Sequence, residues 1–339
     1  MVESNSTSEY SAVRDGDAGL IDLSSRGRIL VSGSEAAMFL NGLITNDVKT
    51  LAVNSWMPAA FANVQGRLLA AVRMAHREDG FLIDTDGATR QTVITLLERF
   101  TMAGDFSLQD LTDGTAMFSV QGSSAPEIIS RVFGEEAARV ERKKIVNAPF
   151  GDATVNVIRA THTAEDGFDL FIDANNSSEV REALTAAGAA SISNATFETL
   201  RIEAGVPLYG IDMDENNVVS ETNLDDAVSF TKGCYLGQEI IVRIKHRGHV
   251  AKKLTGLVLG DATPIPRNAK IISSEGKEIG RVTSSTFSPR LDHAIALAYL
   301  KYDYLALGTE VKVVAPESET GATVTDLPFV RGSWYEEET

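Results

Sequence analysis

Two short stretches recur in this chain at nearly the same separation. Val31-Ser32-Gly33-Ser34-Glu35-Ala36 reappears as Val120-Gln121-Gly122-Ser123-Ser124-Ala125, each an apolar strand that ends in Gly-Ser and opens an apolar-periodic helix. Asp79-Gly80-Phe81-Leu82-Ile83-Asp84 reappears within Asp166-Gly167-Phe168-Asp169-Leu170-Phe171-Ile172-Asp173. Two echoes at nearly one offset indicate a duplicated unit, so the fold must contain two like halves.

Each half reads as α+β. In the first, Arg28–Val31 is an expected strand, Glu35–Leu43 a helix, and Met57–Val64 and Arg67–His76 further strands. Asp79-Gly80 is expected to turn the chain into Phe81–Asp84, because glycine takes the positive φ of tight hairpins. A helix follows over Thr89–Phe100, with Val93, Leu96, Leu97 and Phe100 on one face. In the second half, Met117–Val120 is a strand and Ser124-Ala125-Pro126-Glu127 reads as a capping box. Strands Thr154–Arg159 and Phe168–Ile172 and a helix over 178–186 complete it. Asn194 is placed as the N-cap of a helix over Phe197–Ala204, stopped by Gly205 and Pro207.

From Leu254 the pattern changes to short strands at Leu254–Leu259, Ala269–Ser273, Glu278–Thr283, His293–Tyr299 and Glu310–Val314, separated by turn residues. That spacing points to a small antiparallel barrel or sandwich, of which the barrel is the expected form. The expected organisation is a flexible N-terminal arm over 1–18 and a duplicated region over 19–253, followed by a C-terminal β-barrel over 254–335. The duplicated region divides into units at about 19–115 and 116–190 and a linking segment at 191–253.

Composition narrows the function classes. With 31 Lys+Arg against 47 Asp+Glu, the formal charge of −16 opposes broad binding to nucleic acid or anionic membranes, and no direct nucleic-acid partner is expected. No apolar run reaches the roughly 18 residues of a membrane span. Met1–Asp17 has neither a basic n-region nor an apolar h-region, so a cytoplasmic location is expected. One cysteine permits no internal disulfide and cannot supply the thiolates of a zinc or iron–sulfur site. His246 and His249 lack a second ligand pair, so no metal site is expected. P-loop, G-x-S-x-G and G-x-G-x-x-G motifs are absent.

Chemistry-bearing residues concentrate at Lys232-Gly233-Cys234-Tyr235-Leu236-Gly237-Gln238-Glu239. Gly233 and Gly237 free the backbone around the thiol, and Lys232 would favour thiolate at Cys234. Gln238 and Glu239 could both meet the edge of a heterocycle. The other reading of Cys234 is a small buried hydrophobe beside a helix cap. A basic run follows, Arg243, Lys245, His246, Arg247, His249, Lys252 and Lys253, which suits an anion subsite, a docking face or a solvated surface between domains. Arg201 could pair with Glu203 as a buried fork that orders a ligand carboxylate or a loop, or be an ordinary helix-face charge. Glu165-Asp166-Gly167 reads first as a turn.

The eight-residue motif resembles the K-G-C-Y-x-G-Q-E signature of YgfZ-type folate-binding proteins, a branch of the superfamily that contains the glycine-cleavage T-protein, an aminomethyltransferase. Leu200-Arg201-Ile202-Glu203-Ala204-Gly205 is similar to that superfamily's L-R-x-E-x-G segment, Thr45-Asn46-Asp47-Val48 to its T-N-D-V loop, and Thr163–Phe168 to its G-E-D-G-Y element. The resemblance implies two pseudo-repeated folate-binding subdomains and a barrel around a tetrahydrofolate cleft. Arg201 and Glu165 would be folate contacts and Asn46 and Asp47 cleft residues. The motif, with Tyr235, Gln238 and Glu239 toward the cofactor and Lys232 and Cys234 as its chemical pair, would lie at the mouth. The implied role is support of iron–sulfur cluster assembly or repair in client enzymes, including those that modify tRNA. Gly66-Arg67-Leu68-Leu69-Ala70-Ala71 places Ala70 and Ala71 where the aminomethyltransferases carry an acidic pair, so the alternative, a folate-dependent aminomethyltransferase or demethylase, lacks its carboxylate.

Overall fold

The repeat folds into two sheets packed face to face, with helices covering their outer faces. In this computed structural model every residue is described except Met1, Phe100, Ala103, Glu317 and Thr339. The side chains of residues 2–5, Arg247, Glu337 and Glu338 also lie outside the described set. Helix α1 (Val2–Arg14) leads into strands β1 (Gly19–Asp22) and β2 (Gly27–Ser32), helix α2 (Ala36–Leu43), strands β3 (Ser55–Ala62), β4 (Leu68–Arg77) and β5 (Gly80–Thr85), helix α3 (Arg90–Glu98) and strand β6 (Ser107–Asp110). The second copy runs β7 (Thr115–Gln121), α4 (Ala125–Phe133), α5 (Glu135–Ala138), β8 (Ile145–Phe150), β9 (Ala153–Arg159), β10 (Gly167–Asp173), α6 (Ser177–Ala186) and β11 (Ala190–Ser191).

Strand order is β3-β4-β5-β2-β6 in the first sheet and β11-β1-β7-β10-β9-β8 in the second. The copies correspond in strand order, β2 to β5 with β7 to β10, but their leading strands are exchanged. β1 precedes β2 in the chain yet pairs antiparallel with β7, while β6 precedes β7 and pairs antiparallel with β2. The unit boundaries read from sequence therefore do not coincide with the sheets. Leu20 of β1 is buried in the core of the second sheet, so the exchange is held by packing as well as by hydrogen bonds.

Alternation along the strands builds the layers. Phe81 and Ile83 of β5 pack under α2 and α3, whereas Leu82 points into the inter-sheet core with Met117, Ile145, Ile158 and Phe171. Because both faces are covered, these strands read as continuous apolar runs.

Helices α7 (Asn194–Glu203) and α8 (Gln238–Arg247) link to the barrel, formed by β12 (Lys252–Leu259), β13 (Lys270–Ile272), β14 (Glu278–Ser288), β15 (His293–Lys301), β16 (Glu310–Ala315) and β17 (Ser318–Thr325). The barrel closes in the order β12-β15-β14-β13-β16-β17. Ala294, Ala296, Ala298 and Leu300 fill its interior, and Ile295, Leu297 and Tyr299 pack outward against Ile202 of α7. The α+β architecture with a terminal antiparallel barrel is as expected.

Several local expectations are corrected. The supposed arm is a docked helix, with Tyr10, Val13 and Arg14 buried. Arg14 donates to Glu203, Glu165 and the Thr163 carbonyl, which ties α1 to the body of the fold. Ser193, not Asn194, caps α7, its hydroxyl accepting from the Thr196 amide. The Ser124 hydroxyl donates to the Gly16 carbonyl instead of closing a capping box. Arg77 pairs with Gly80, so Glu78 and Asp79 make the hairpin turn. Gly80 opens β5 at φ 137°, where a Cβ would meet the Val31 carbonyl oxygen at 2.4 Å. Phe100, expected on the face of α3, lies outside the described residues.

Candidate functional site

Helix α2 ends in a turn whose carbonyls have no helical partner, as every helix C-terminus must. Lys232 reaches that turn from far along the chain. Its Nζ donates to the carbonyl oxygens of Asn41 at 2.7 Å, Ile44 at 3.0 Å and Asn46 at 2.6 Å. A cation at a helix C-terminus also meets the negative end of the helix dipole. Burial pushes the Lys232 ammonium down to about 8, with the Asp47 charge acting in the opposite direction. Lys232 is thus a clasp between the motif and the Thr45–Val48 loop.

The loop is itself internally bonded. The Asn46 amide donates to the carbonyls of Pro58 and Asp226, its Oδ1 accepts the Asp47 amide, and Asp47 caps the next turn through the Lys49 amide. Both expected cleft residues serve the loop's geometry, directly beside the lysine clasp.

Beyond Lys232 the motif divides into buried and open positions. Gly237 sits at φ 84° against the Asn63–Gly66 turn, where a Cβ would meet the Asn63 carbonyl oxygen at 2.5 Å. Gly233 faces open space. Tyr235 packs with Ala60, Ala62, Leu68, Met213 and Ile241, and partly buried Ala71 and Tyr209 lie against the same cluster. Its hydroxyl is buried with no hydrogen-bond partner among the described residues, and burial pushes it up to about 12. Cys234 is exposed, which removes the buried-hydrophobe reading. Gln238 and Glu239 occupy the first turn of α8, half-buried and exposed respectively.

Ala70 is fully buried in the core of the first sheet, while Ala71 lies against the Tyr235 cluster. β4 therefore presents a methyl group, with no carboxylate, toward the motif.

The expected folate pair is engaged with other partners. Arg201 is completely buried and each of its five N–H groups has an acceptor: Glu198 from Nε, Val206 and Asp212 from Nη1, and Glu198 and Ser284 from Nη2. A guanidinium has five donors and no more, so none is left for a ligand. Its expected partner Glu203 belongs instead to Arg14, Tyr10 and Ser288. Glu165 accepts from Arg14 through Oε1 and from the Ser333 amide and hydroxyl through Oε2, each at 2.8 Å. Gly332 lies so close that a Cβ there would meet the Glu165 carboxylate within 2.4 Å. Glu165 and Arg201 are thus structural ties in this conformation.

The basic run also divides. Arg243, Lys245 and His246 are exposed on α8, His249 stacks on Tyr302 with ring centroids 4.0 Å apart, and Lys253 meets Asp225 at 3.5 Å. Arg247 is outside the described side chains.

One charged network was not anticipated. Arg73 of β4 bridges Asp84 of β5 and Asp169 of β10, with Arg26 on the first carboxylate and His162 on the second. The available signal was a carboxylate inside each of two apolar runs, since such residues are rarely fully buried without a partner. Among the described residues no group of three or more His, Cys, Asp or Glu could hold a metal ion, and no helix is long and apolar enough to cross a membrane.

Comparison with known proteins accounts for both halves of the architecture. Residues 2–232 match the GCVT N-terminal domain and residues 252–331 the glycine cleavage T-protein C-terminal barrel domain. The chain is 30% identical over 330 residues to an aminomethyltransferase of Shouchella clausii, covering 95% of this chain and 89% of that protein. It is 31% identical over 330 residues to an aminomethyltransferase of Geobacillus kaustophilus, covering 95% and 90%. The crystal structure of glycine cleavage system aminomethyltransferase T from Bartonella henselae has the same fold, with a TM-score of 0.86 at 23% identity over 96% of this chain and 90% of that one. From its N-terminal sheets to its terminal barrel, the chain belongs to the glycine cleavage T-protein family.

Proposed function

We propose that this chain is a tetrahydrofolate-binding accessory protein of the YgfZ type, which supports assembly or repair of iron–sulfur clusters in client enzymes, those that modify tRNA included. The observation that carries the reading is the motif's geometry. Lys232 and Gly237 fix the loop at both ends, and Cys234 stands exposed between them, while Ala71 occupies the wall where a transferase would need a carboxylate. A fixed, accessible thiol suits transient ligation of iron shared with a partner, since one thiolate cannot hold a cluster alone. The buried Tyr235 hydroxyl, which has no hydrogen-bond partner among the described residues, is a polar group still available to a heterocycle, and Gln238 follows three positions later; these two residues fit a folate better than the saturated Arg201 and Glu165.

The alternative reading, a folate-dependent one-carbon transferase, is favoured by the relatives' name. The two separate in one set of measurements. Cys234→Ala is expected to retain its fold and its tetrahydrofolate affinity while failing to restore iron–sulfur enzyme activity to cells deleted for the gene. Full restoration would remove the thiol from the function, and tetrahydrofolate-dependent turnover of an aminomethyl donor by the purified protein would establish the transferase instead.

A further inference from the structure

Three cations of the barrel converge on one cleft. β12 and β15 pair with Lys252 directly opposite Lys301, and Arg281 of β14 lies opposite Tyr299 on the same sheet. Like charges directly across a strand pair repel and weaken it. These residues, with Glu278, Ile279 and Gly280, line a cleft of about 500 Å³. The charges within it are poorly matched. Among the described residues that line it Glu278 is the sole acid, and its carboxylate pairs with Lys270 at 2.8 Å. Lys301 donates to the Glu278 carbonyl, not to a carboxylate. Lys252 lies 4.0 Å from Glu221 and 5.1 Å above the Tyr299 ring, so its charge is partly answered. Arg281 is exposed and its guanidinium takes part in no ion pair among the described residues.

A concave site with a free guanidinium fork and two ammonium groups, in a chain of formal charge −16, selects for an anion with several charged oxygens. We propose that this barrel cleft binds a small polyanion, an oligophosphate or an oligocarboxylate, with Arg281 and Lys301 as the principal contacts and Lys252 at the inner wall. The site is independent of the folate reading and of Cys234.

Calorimetric titration of the full chain at low ionic strength, with tripolyphosphate and separately with tri-γ-glutamate, tests the proposal. At least one probe is expected to bind, with affinity falling as salt is added. Arg281→Gln/Lys301→Gln is expected to bind it about tenfold more weakly or worse, the loss typical of charged hydrogen bonds. Lys277→Gln/Lys312→Gln removes the same charge elsewhere on the barrel, from lysines paired with Glu275 and Glu319, and is expected to bind like the parent. The probe that binds identifies phosphate or carboxylate as the source. Failure of both probes to bind the parent protein overturns the proposal, and so does equal weakening by the two double variants. The single variant Arg281→Gln, altering one exposed side chain, gives the same readout should the double variant prove unstable.

Discussion

The two glycines of the motif make opposite demands on the chain. Gly237 holds a left-handed conformation with a carbonyl 2.5 Å from where a Cβ would stand, and Gly233 has open space around it. Gly237→Ala is expected to destabilise the protein by about 1–3 kcal/mol or more, the range for strained backbone positions. Gly233→Ala should stay within about 0.5 kcal/mol, as surface substitutions do. Denaturant midpoints of the two variants check this directly, and equal midpoints would contradict the role given to Gly237. At the same scale, Arg201 illustrates how a residue type can mislead. Its sequence neighbourhood marks it as special, but only the count of its acceptors reveals that every donor is already used.

Among the elements, α1 was the least legible. Its sequence VESNSTSEYSAVR is mostly polar and offers little apolar periodicity, so its helical state is decided by docking rather than by intrinsic pattern. The docking is electrostatic as much as apolar. Arg14 places one guanidinium between the buried carboxylates of Glu203 and Glu165, and Tyr10 donates to Glu203 at 2.8 Å. Removing residues 1–14 leaves two carboxylates buried without their cation, a change that typically costs about 3–5 kcal/mol. The truncated protein is expected to melt well below the full chain, and Arg14→Met should reproduce most of the loss; unchanged melting would restore the picture of a free arm. Strand β17 was missed for a related reason. In Ser318–Thr325 the inward residues include only Ala322 and Val324 as apolar signals, and barrel closure supplies the rest.

Across the whole molecule, the two sheets are joined by a buried relay of charge. Burial by itself would raise the pKa of Asp169, but the charges and hydrogen bonds of His162 and Arg73 outweigh it and hold the carboxyl far below the usual carboxylate range. Asp84 is lowered in the same way by Arg26 and Arg73 against its own burial. Carboxyls with depressed folded pKa values stabilise the native state above the unfolded value of about 3.9 and lose that contribution as pH falls through the folded value. The thermal stability of the parent protein is therefore expected to fall steeply below about pH 4. Asp169→Asn should be less stable at neutral pH and lose less on acidification. A variant whose acid profile runs parallel to the parent's would show that the relay does not govern the pH response.

The duplicated unit and the change to a barrel near residue 254 follow from sequence, because apolar periodicity and turn residues report which face of each element is buried. The exchange of β1 and β6 between the sheets, the saturation of Arg201 and Glu165, the clasp of Lys232 on α2 and the cationic cleft of the barrel were decided by tertiary structure alone. Each depends on partners far apart in the chain. Periodicity specifies that a side chain points inward, but the register of distant strands determines which charge or carbonyl it meets there.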